Sequence, residues 1–266
     1  PMDEDKNYDY SKRYTTQVAT EADKYYIQPG YTTAKLHFDR EPRFYATLGF
    51  DGSSWYGIGK MDDNDMWYLQ AKAKQASGKR GNTLYSITGY FAKKLVRYQN
   101  AMVPASIQIE TYPFPIIRLA DLYLLYAEAL NESEGPVKAV YDAIDALRDR
   151  AHTTRLSTAM PNLSKDAMRI EIRNERRVEL AFEGLRWADI RRWKIGEEVM
   201  VDAKGLDNTK LKAGMYPGDG KGETKDWKYV TITVDQRQFN PKRDYLWPIP
   251  QYEMDANENM IQNPGY

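Results

Sequence analysis

The chain contains no cysteine, which excludes disulfides, thiolate metal sites and a cysteine nucleophile. Only two histidines occur, His37 and His152, and they lie far apart in sequence, so no histidine cluster suggests a metal centre. Apolar runs of roughly 18 residues or more are lacking, and residues 1–10 do not follow a signal-peptide pattern. Any export signal or lipid anchor is therefore expected outside this chain. Excess charge of one sign is lacking too: 38 basic and 38 acidic residues leave a formal net charge of zero. Without a basic field, nucleic acid is not an expected partner. The fingerprints GxSxG, HExxH, Walker A and the dinucleotide-binding glycine loop are all missing, and no cofactor is expected.

What the chain has in plenty is tyrosine. There are 21, twelve of them in the first 100 residues. Tyrosine and tryptophan offer large, rigid contact area with a polar edge, which suits a binding surface. At 266 residues the chain can bury about 70–75% of its unfolded surface without a metal or disulfide. It reads as a loop-rich, aromatic-rich region over 1–112 and a helical region over 113–266, in one continuous domain.

The loop-rich region begins with Asp3, Asp5, Asn7 and Asp9 at alternating positions. A calcium loop needs Gly and Glu where Tyr8 and Tyr14 stand, so the stretch reads as a solvated loop. Residues 43–48 suggest a strand leading into a glycine-rich turn, GFDGSSWYG (49–57). That turn carries Trp55 and Tyr56, and a second pair, Trp67 and Tyr68, sits beside Asp62, Asp63, Asn64 and Asp65. A loop can seldom bury two adjacent large aromatics, so at least one of each pair should face outward. The plainer alternative is that Trp55 folds back as a plug over the core. Residues 86–100 fit either a strand or a short helix, and 101–114 should be extended between prolines.

From Ile116 to Leu130 the chain is apolar almost all round, which predicts a central helix with Arg118, Asp121 and Glu128 as its polar exceptions. A second helix should follow the Glu134-Gly135-Pro136 turn and run antiparallel to about Arg150. Ala127, Ala139 and Ala143 at contact positions give the pair a tetratricopeptide-like appearance. The third helix starts at Ser164, a plausible N-cap with Asp166 in its first turn. Ala167, Ile170, Val178, Ala181 and Leu185 mark one face; Met168, Ile172 and Phe182 mark another. Between those faces lie Arg173, Glu175, Arg176, Glu179 and Glu183, whose expected partners include Asp121 and Glu128. We read them as a partly buried ionic frame and not as a catalytic site. After Gly184 a shorter helix, 185–193, should stack its arginines on Trp187 and Trp193. Residues 201–230 form a long Lys/Gly/Asp-rich connection, either functional or mobile, then 229–234 read as a strand. Residues 239–250 read as an extended segment across the helices, and MDANENM (254–260) as a short helical turn.

Four stretches resemble one known family. ERRVELAFEGLRWADIRRWK (175–194) is similar to the signature helix of the SusD/RagB family of outer-membrane nutrient-binding lipoproteins. RLADLYLLYAEALNE (118–132), YLWPIPQYEMDANENMIQNPGY (245–266) and REPRFYATLGFDG (40–52) are similar to further family segments. The resemblance implies a mainly α fold with tetratricopeptide-type helix pairs, long irregular loops and minor β structure. It also implies a C-terminal part of a longer protein, without the N-terminal helical repeats and the lipidated cysteine. The role it implies is capture of glycans at the cell surface and delivery to a SusC-like TonB-dependent transporter. Contact with the outer membrane would come only through a lipid anchor outside this chain. Some members of the family are thought to serve peptides or other nutrients.

Family binding sites vary in their loops, so the signature helix supplies no ligand residues. The candidate ligand-binding residues come from the aromatic-loop argument: Trp55, Tyr56, Trp67, Tyr68 and Tyr31. An enzyme reading would need two carboxylates about 5–10 Å apart, for which Asp51 and the Asp62–Asp65 cluster are the candidates near Trp55 and Trp67. Acidic loop residues more often bind sugar hydroxyls or water, and no catalytic residue is expected. A third reading is a scaffold module gripping a partner protein through its helices.

Overall fold

The computed structural model describes residues 10–55, 59, 62–73, 75–81, 85–103, 106–206 and 231–266. The acidic stretch before Tyr10, the ring of Tyr56 and residues 207–230 of the long connection lie outside them.

The loop-rich region is built from short antiparallel pairs. Thr16–Val18 (β1) pairs with Thr32–Ala34 (β2). Pro42–Thr47 (α1) runs straight into Leu48–Phe50 (β3). Ser54–Trp55 (β4) pairs with Trp67–Tyr68 (β5), and Tyr90–Ala92 (β6) pairs with β3. Ala101–Val103 (β7) and Ser106–Gln108 (β8) make a further hairpin in the segment expected to be extended. The expected strand over 43–48 is instead α1, with the strand delayed to Leu48. Pro42 stands at the start of that helix, where its fixed φ suits the first turn and its missing N–H costs nothing.

Two- and three-residue strands cannot hold a core by themselves. Here aromatic stacking and buried polar contacts join them. His37, 1% exposed, lies 4.1 Å from the Phe50 ring centroid and bonds Thr33 Oγ1 (2.8 Å) and the Tyr90 hydroxyl (3.1 Å). Burial, helped by the charge of Arg40, pushes its pKa down to about 3, so it is a neutral core residue at any ordinary pH. Tyr45 donates to the His37 carbonyl at 2.9 Å, and Tyr26 stacks on Tyr45 at 4.1 Å and 16°.

The helical region follows: Leu119–Glu134 (α2), Lys138–Arg150 (α3), Leu156–Ala159 (α4), Lys165–Glu179 (α5), Arg186–Arg192 (α6) and Gly196–Val199 (α7). Ser164 caps α5 by accepting from the Ala167 N–H at 3.2 Å. Ala203–Leu206 (β9) pairs with Thr231–Asp235 (β10) across the long connection, and Gln251–Ala256 (α8) is the last helix. The segment 239–250 is not extended throughout: Asn240 N donates to Asp244 Oδ2 at 2.7 Å and closes a turn over 240–244. Ala127, Val140, Ala143, Ile144, Leu156, Met168 and Ile172 form the main helical core, each 0–4% exposed. Helix α2 is buried on one side only. Leu119, Leu122, Tyr123, Leu125 and Tyr126 on its other side are exposed, so apolarity all round did not make it central within this chain. Among the described residues no helix is long and apolar enough to cross a membrane.

The charges of α5 tie the two regions together. Glu175 takes Arg43 of α1 at 2.5 Å and Arg148 of α3 at 3.1 Å. Glu179 takes Arg43 (3.1 Å), Arg118 (3.1 Å) and Arg150 (2.6 Å). Glu183 takes Arg118 (2.6 Å) and Lys94 (2.5 Å). Arg176 joins Asp121 of α2 (2.8 Å) to Asp189 of α6 (3.1 Å). Glu128 accepts from Arg192 and, at 2.8 Å, from Trp193 Nε1. Burial alone would lower the pKa of Arg43, but Glu175 and Glu41 more than offset it and raise it. Arg173 belongs elsewhere: its guanidinium carbon lies 4.9 Å from the Trp193 ring centroid, and it makes no ion pair among the described residues.

Candidate functional site

Strands β4 and β5 place the two tryptophans directly opposite each other. Opposed residues of an antiparallel pair point to the same face. Gly49 makes room for the result: a Cβ added there would overlap the six-membered ring of Trp55, so only glycine lets that ring lie against β3. Trp55 is thus partly a plug, as the plainer sequence reading held, yet it and Trp67 remain half-buried and line a cavity of about 290 Å³. That is the lower end of the roughly 300–1,000 Å³ range of small-molecule sites.

The rest of the wall comes from three other segments. Tyr25 and Tyr26, 51% and 43% exposed, supply two more aromatic faces. Pro42, Tyr45 and Ala46 of α1 and Lys93 after β6 line it as well, as do Asp62, Asp63 and Asp65 of the β4–β5 loop. Hydrogen bonds lock these pieces together. Ser54 N donates to the Tyr26 carbonyl (2.9 Å) and Ser54 Oγ to the Tyr25 carbonyl (2.8 Å). Lys93 Nζ donates to the Ser54 carbonyl at 2.8 Å, and burial lowers its pKa to about 8. The Tyr25 hydroxyl donates to Asp63 Oδ2 at 3.0 Å. The wall is also fastened to the helical region, because Arg43 and Lys94, chain neighbours of Pro42 and Lys93, are bound to Glu175, Glu179 and Glu183.

The other candidates lie apart from the cavity. Tyr68, one residue past Trp67, points to the opposite face and donates to the Lys24 carbonyl at 2.8 Å; burial, with the charge of Glu21, raises its pKa. Tyr31 is 8% exposed, with its hydroxyl on Asp51 Oδ1 (2.7 Å) and Gln75 Oε1 (2.9 Å) and Lys72 Nζ 3.6 Å above its ring. Both are framework side chains in this geometry. Asp51, a candidate carboxylate for hydrolysis, is 1% exposed and also accepts from the Ala71 N–H at 2.9 Å. It lies in the core and does not line the cavity. Tyr25, Tyr26 and Lys93 were missed by the sequence reading. Tyr25-Tyr26 is an adjacent aromatic pair in a polar segment, the same signal that singled out the two Trp-Tyr pairs. No comparable signal marks Lys93.

A larger hollow of about 590 Å³ lies along α3, lined by Tyr141, Asp142, Asp145, Asp149 and Arg155 among others. Its charges are engaged already, Arg155 with Asp149 at 2.7 Å, Lys138 with Asp142 at 2.7 Å and Asp145 with the Leu156 N–H at 2.6 Å. Its one ring, Tyr141, donates its hydroxyl to the Met160 carbonyl. It offers no stacked aromatic platform, so the smaller aromatic cavity is the better ligand site.

The comparisons agree with this architecture. Two curated relatives from Formosa agariphila are similar to it: SusD-like protein P2, 34% identical over 155 residues, and SusD-like protein P25, 39% identical over 155 residues. These matches cover 56% and 57% of this chain but only 25% and 24% of the relatives. Among solved structures, BT4246 superposes with a TM-score of 0.76 at 25% identity, over 97% of this chain and 40% of its own. A SusD-like protein (BF3747) from Bacteroides fragilis NCTC 9343 superposes with a TM-score of 0.67 at 28% identity, over 86% of this chain and 40% of its own. The chain thus spans about a quarter to two fifths of the length of these relatives. The SusD family model matches residues 3–266, and the chain belongs to the SusD family.

Proposed function

We propose that this chain supplies part of a cell-surface glycan-capture protein, and that the Trp55–Trp67 cavity holds the saccharide. The observation that carries this reading is the cavity itself. Two cross-strand tryptophans and two exposed tyrosines offer flat faces for the apolar sides of sugar rings, and Asp62, Asp63 and Asp65 stand beside them as hydroxyl acceptors. Family membership supports nutrient capture at the extracellular face of the outer membrane and delivery to a SusC-like TonB-dependent transporter. In that arrangement the membrane is reached through a lipid anchor and not through the residues described. We read the role as binding: Asp51 is committed to Tyr31 and Ala71 in the core, and the candidate carboxylates that do line the cavity, Asp62, Asp63 and Asp65, suit sugar hydroxyls.

Calorimetric titration of the chain with a panel of plant, host and microbial oligosaccharides tests the proposal. Binding should appear for at least one saccharide and should be lost in the Trp55→Ala/Trp67→Ala double variant. A double variant that binds with undiminished heat would defeat this site. Release of reducing ends by the pure protein would replace capture with catalysis. Binding confined to peptide pools would move the ligand to the other nutrient class.

A further inference from the structure

We infer that Arg43 and Lys94 are positioning residues of the saccharide site, through which Glu175, Glu179 and Glu183 set the gap between its walls. The inference rests on the saccharide-binding reading above and adds to it the residues that hold the site in shape. Neither side chain lines the cavity, but each follows directly on one that does, Pro42 and Lys93. Pro42, Tyr45 and Ala46 share the cavity side of α1, as their spacing on a helix requires. Arg43 leaves that side and reaches Glu175 Oε1 at 2.5 Å and Glu179 Oε2 at 3.1 Å. Lys94 reaches Glu183 Oε1 at 2.5 Å and the Glu179 carbonyl at 2.7 Å. Glu179 thus receives both, Arg43 on its carboxylate and Lys94 on its main chain.

The two wall segments also form one unit. The Lys93 and Lys94 N–H groups both donate to the Thr47 carbonyl at the end of α1, at 2.9 and 3.2 Å. From there Lys93 Nζ carries the hold to β4 through the Ser54 carbonyl, one residue before Trp55. Tyr45 carries it to Tyr26, whose ring stacks on its own at 4.1 Å. The ions that anchor this unit are shielded from water: the Arg43 side chain is 12% exposed, those of Glu175 and Glu179 4% and 2%. Solvent therefore screens the tether little. Stacking contacts are short-ranged, and a wall that is free to shift must be ordered by the ligand at a cost in affinity.

Calorimetry decides the matter, with a panel of plant, host and microbial oligosaccharides that includes maltohexaose, cellohexaose and mannohexaose. Each variant is titrated at a temperature where circular dichroism shows it folded. Arg43→Gln and Lys94→Gln should each weaken binding of the saccharide that the wild-type chain takes by roughly five- to tenfold. Arg43→Lys, which keeps a cation for Glu175 and Glu179, should recover most of that loss. Arg176→Ala breaks the frame at Asp121 and Asp189 and not at the wall. It should lower the melting temperature and leave the affinity of the folded chain within about twofold. Unchanged affinity in both Arg43→Gln and Lys94→Gln overturns the inference and leaves the saccharide site standing. An equal loss of affinity in Arg176→Ala also overturns it, because affinity would then follow stability alone. If Arg43→Gln fails to fold, Lys94→Gln and Arg43→Lys decide between the same outcomes. A wild-type chain that binds no oligosaccharide of the panel overturns the saccharide reading and this inference with it.

Discussion

The two regions of this molecule differ in how far they rely on paired charges. In the helical region, acidic and basic side chains are drawn inward: Glu175, Arg176, Glu179 and Asp189 are each 3–5% exposed and each is held by opposite charge. In the loop-rich region, the cluster between β4 and β5 leaves Asp63 and Asp65 exposed at the edge of a cavity. The loop-rich region is held instead by rings, with His37, Phe44, Tyr45, Phe50 and Tyr90 packed on one another. One region uses a network of ions as mortar; the other relies mainly on rings, with Asp51, Lys72 and Lys93 as buried charges among them. The pattern separates bracing from recognition, because charges already paired in a core have nothing left to offer a ligand.

The sharpest way to break that contrast is to remove one partner of the frame. Arg176→Ala would take from Asp121 and Asp189 the guanidinium that joins them, leaving Asp189 with Arg192, and Glu179→Ala would leave Arg43, Arg118 and Arg150 without their shared acceptor. Deleting one member of a buried pair costs about 3–5 kcal/mol. That corresponds to a fall of roughly 6–15 °C in melting temperature for a domain of this size. Thermal melts followed by circular dichroism test it, and an unchanged melting temperature in both variants would make these charges solvated bystanders.

How much of this was legible in the sequence follows the same division. The helices announced themselves through period, caps and breakers: Ser164 does cap α5, and Gly184 does sit at φ +80° where the chain turns toward α6. The charges between the apolar faces of α5 marked an ionic frame, and Glu175, Arg176, Glu179 and Glu183 lie in it. Its farthest members were not legible, since nothing local in Arg43 or Lys94 indicates a partner 132 or 89 residues away. In the loop-rich region strands of two or three residues leave no periodicity to read. The adjacency of Trp55 and Trp67 comes from β4–β5 register alone. The exclusion of Tyr31 and Tyr68 is equally a matter of packing, because a tyrosine in a polar stretch looks the same whether its hydroxyl meets water or Asp51.

A second test should move binding without moving the frame. Gly49→Ala puts a methyl group where the Trp55 ring lies, and the ring must leave its place opposite Trp67. Saccharide affinity should fall by roughly ten- to thirtyfold, the scale of losing one well-placed aromatic contact of about 1.5–2 kcal/mol. The melting temperature should fall less than in Arg176→Ala. Equal losses of stability in the two variants would mean that the loop-rich region is not a separate energetic layer.

Acid should separate the regions more gently. Burial alone would raise the pKa of Glu183, but Arg118 and Lys94 more than offset it and hold the carboxyl below its ordinary value near 4.5; Arg192 and Trp193 do the same for Glu128 against its burial. Carboxylates whose folded pKa is depressed stabilise the fold fully above their unfolded pKa. That contribution is lost as pH falls from about 4.5 through the depressed folded values. Melting temperature should therefore decline on acidification over that window, and less steeply in Glu183→Gln, which starts lower at neutral pH. Parallel curves for the two proteins would place the acid-sensitive charge elsewhere.

The smallest effect should come from an ion pair with the same chemistry and none of the burial. Lys138 and Asp142 meet at 2.7 Å on the outer face of α3, with side chains 87% and 56% exposed. Water screens such a pair, and ordering two free side chains offsets much of the attraction. Lys138→Ala should shift the melting temperature by about a degree or less, although its distance matches that of Arg176 to Asp121. If Lys138→Ala instead cost as much as Arg176→Ala, separation between charges would govern stability here and burial would not. The contrast between an ionic interior and a ligand-facing rim would then have no energetic basis.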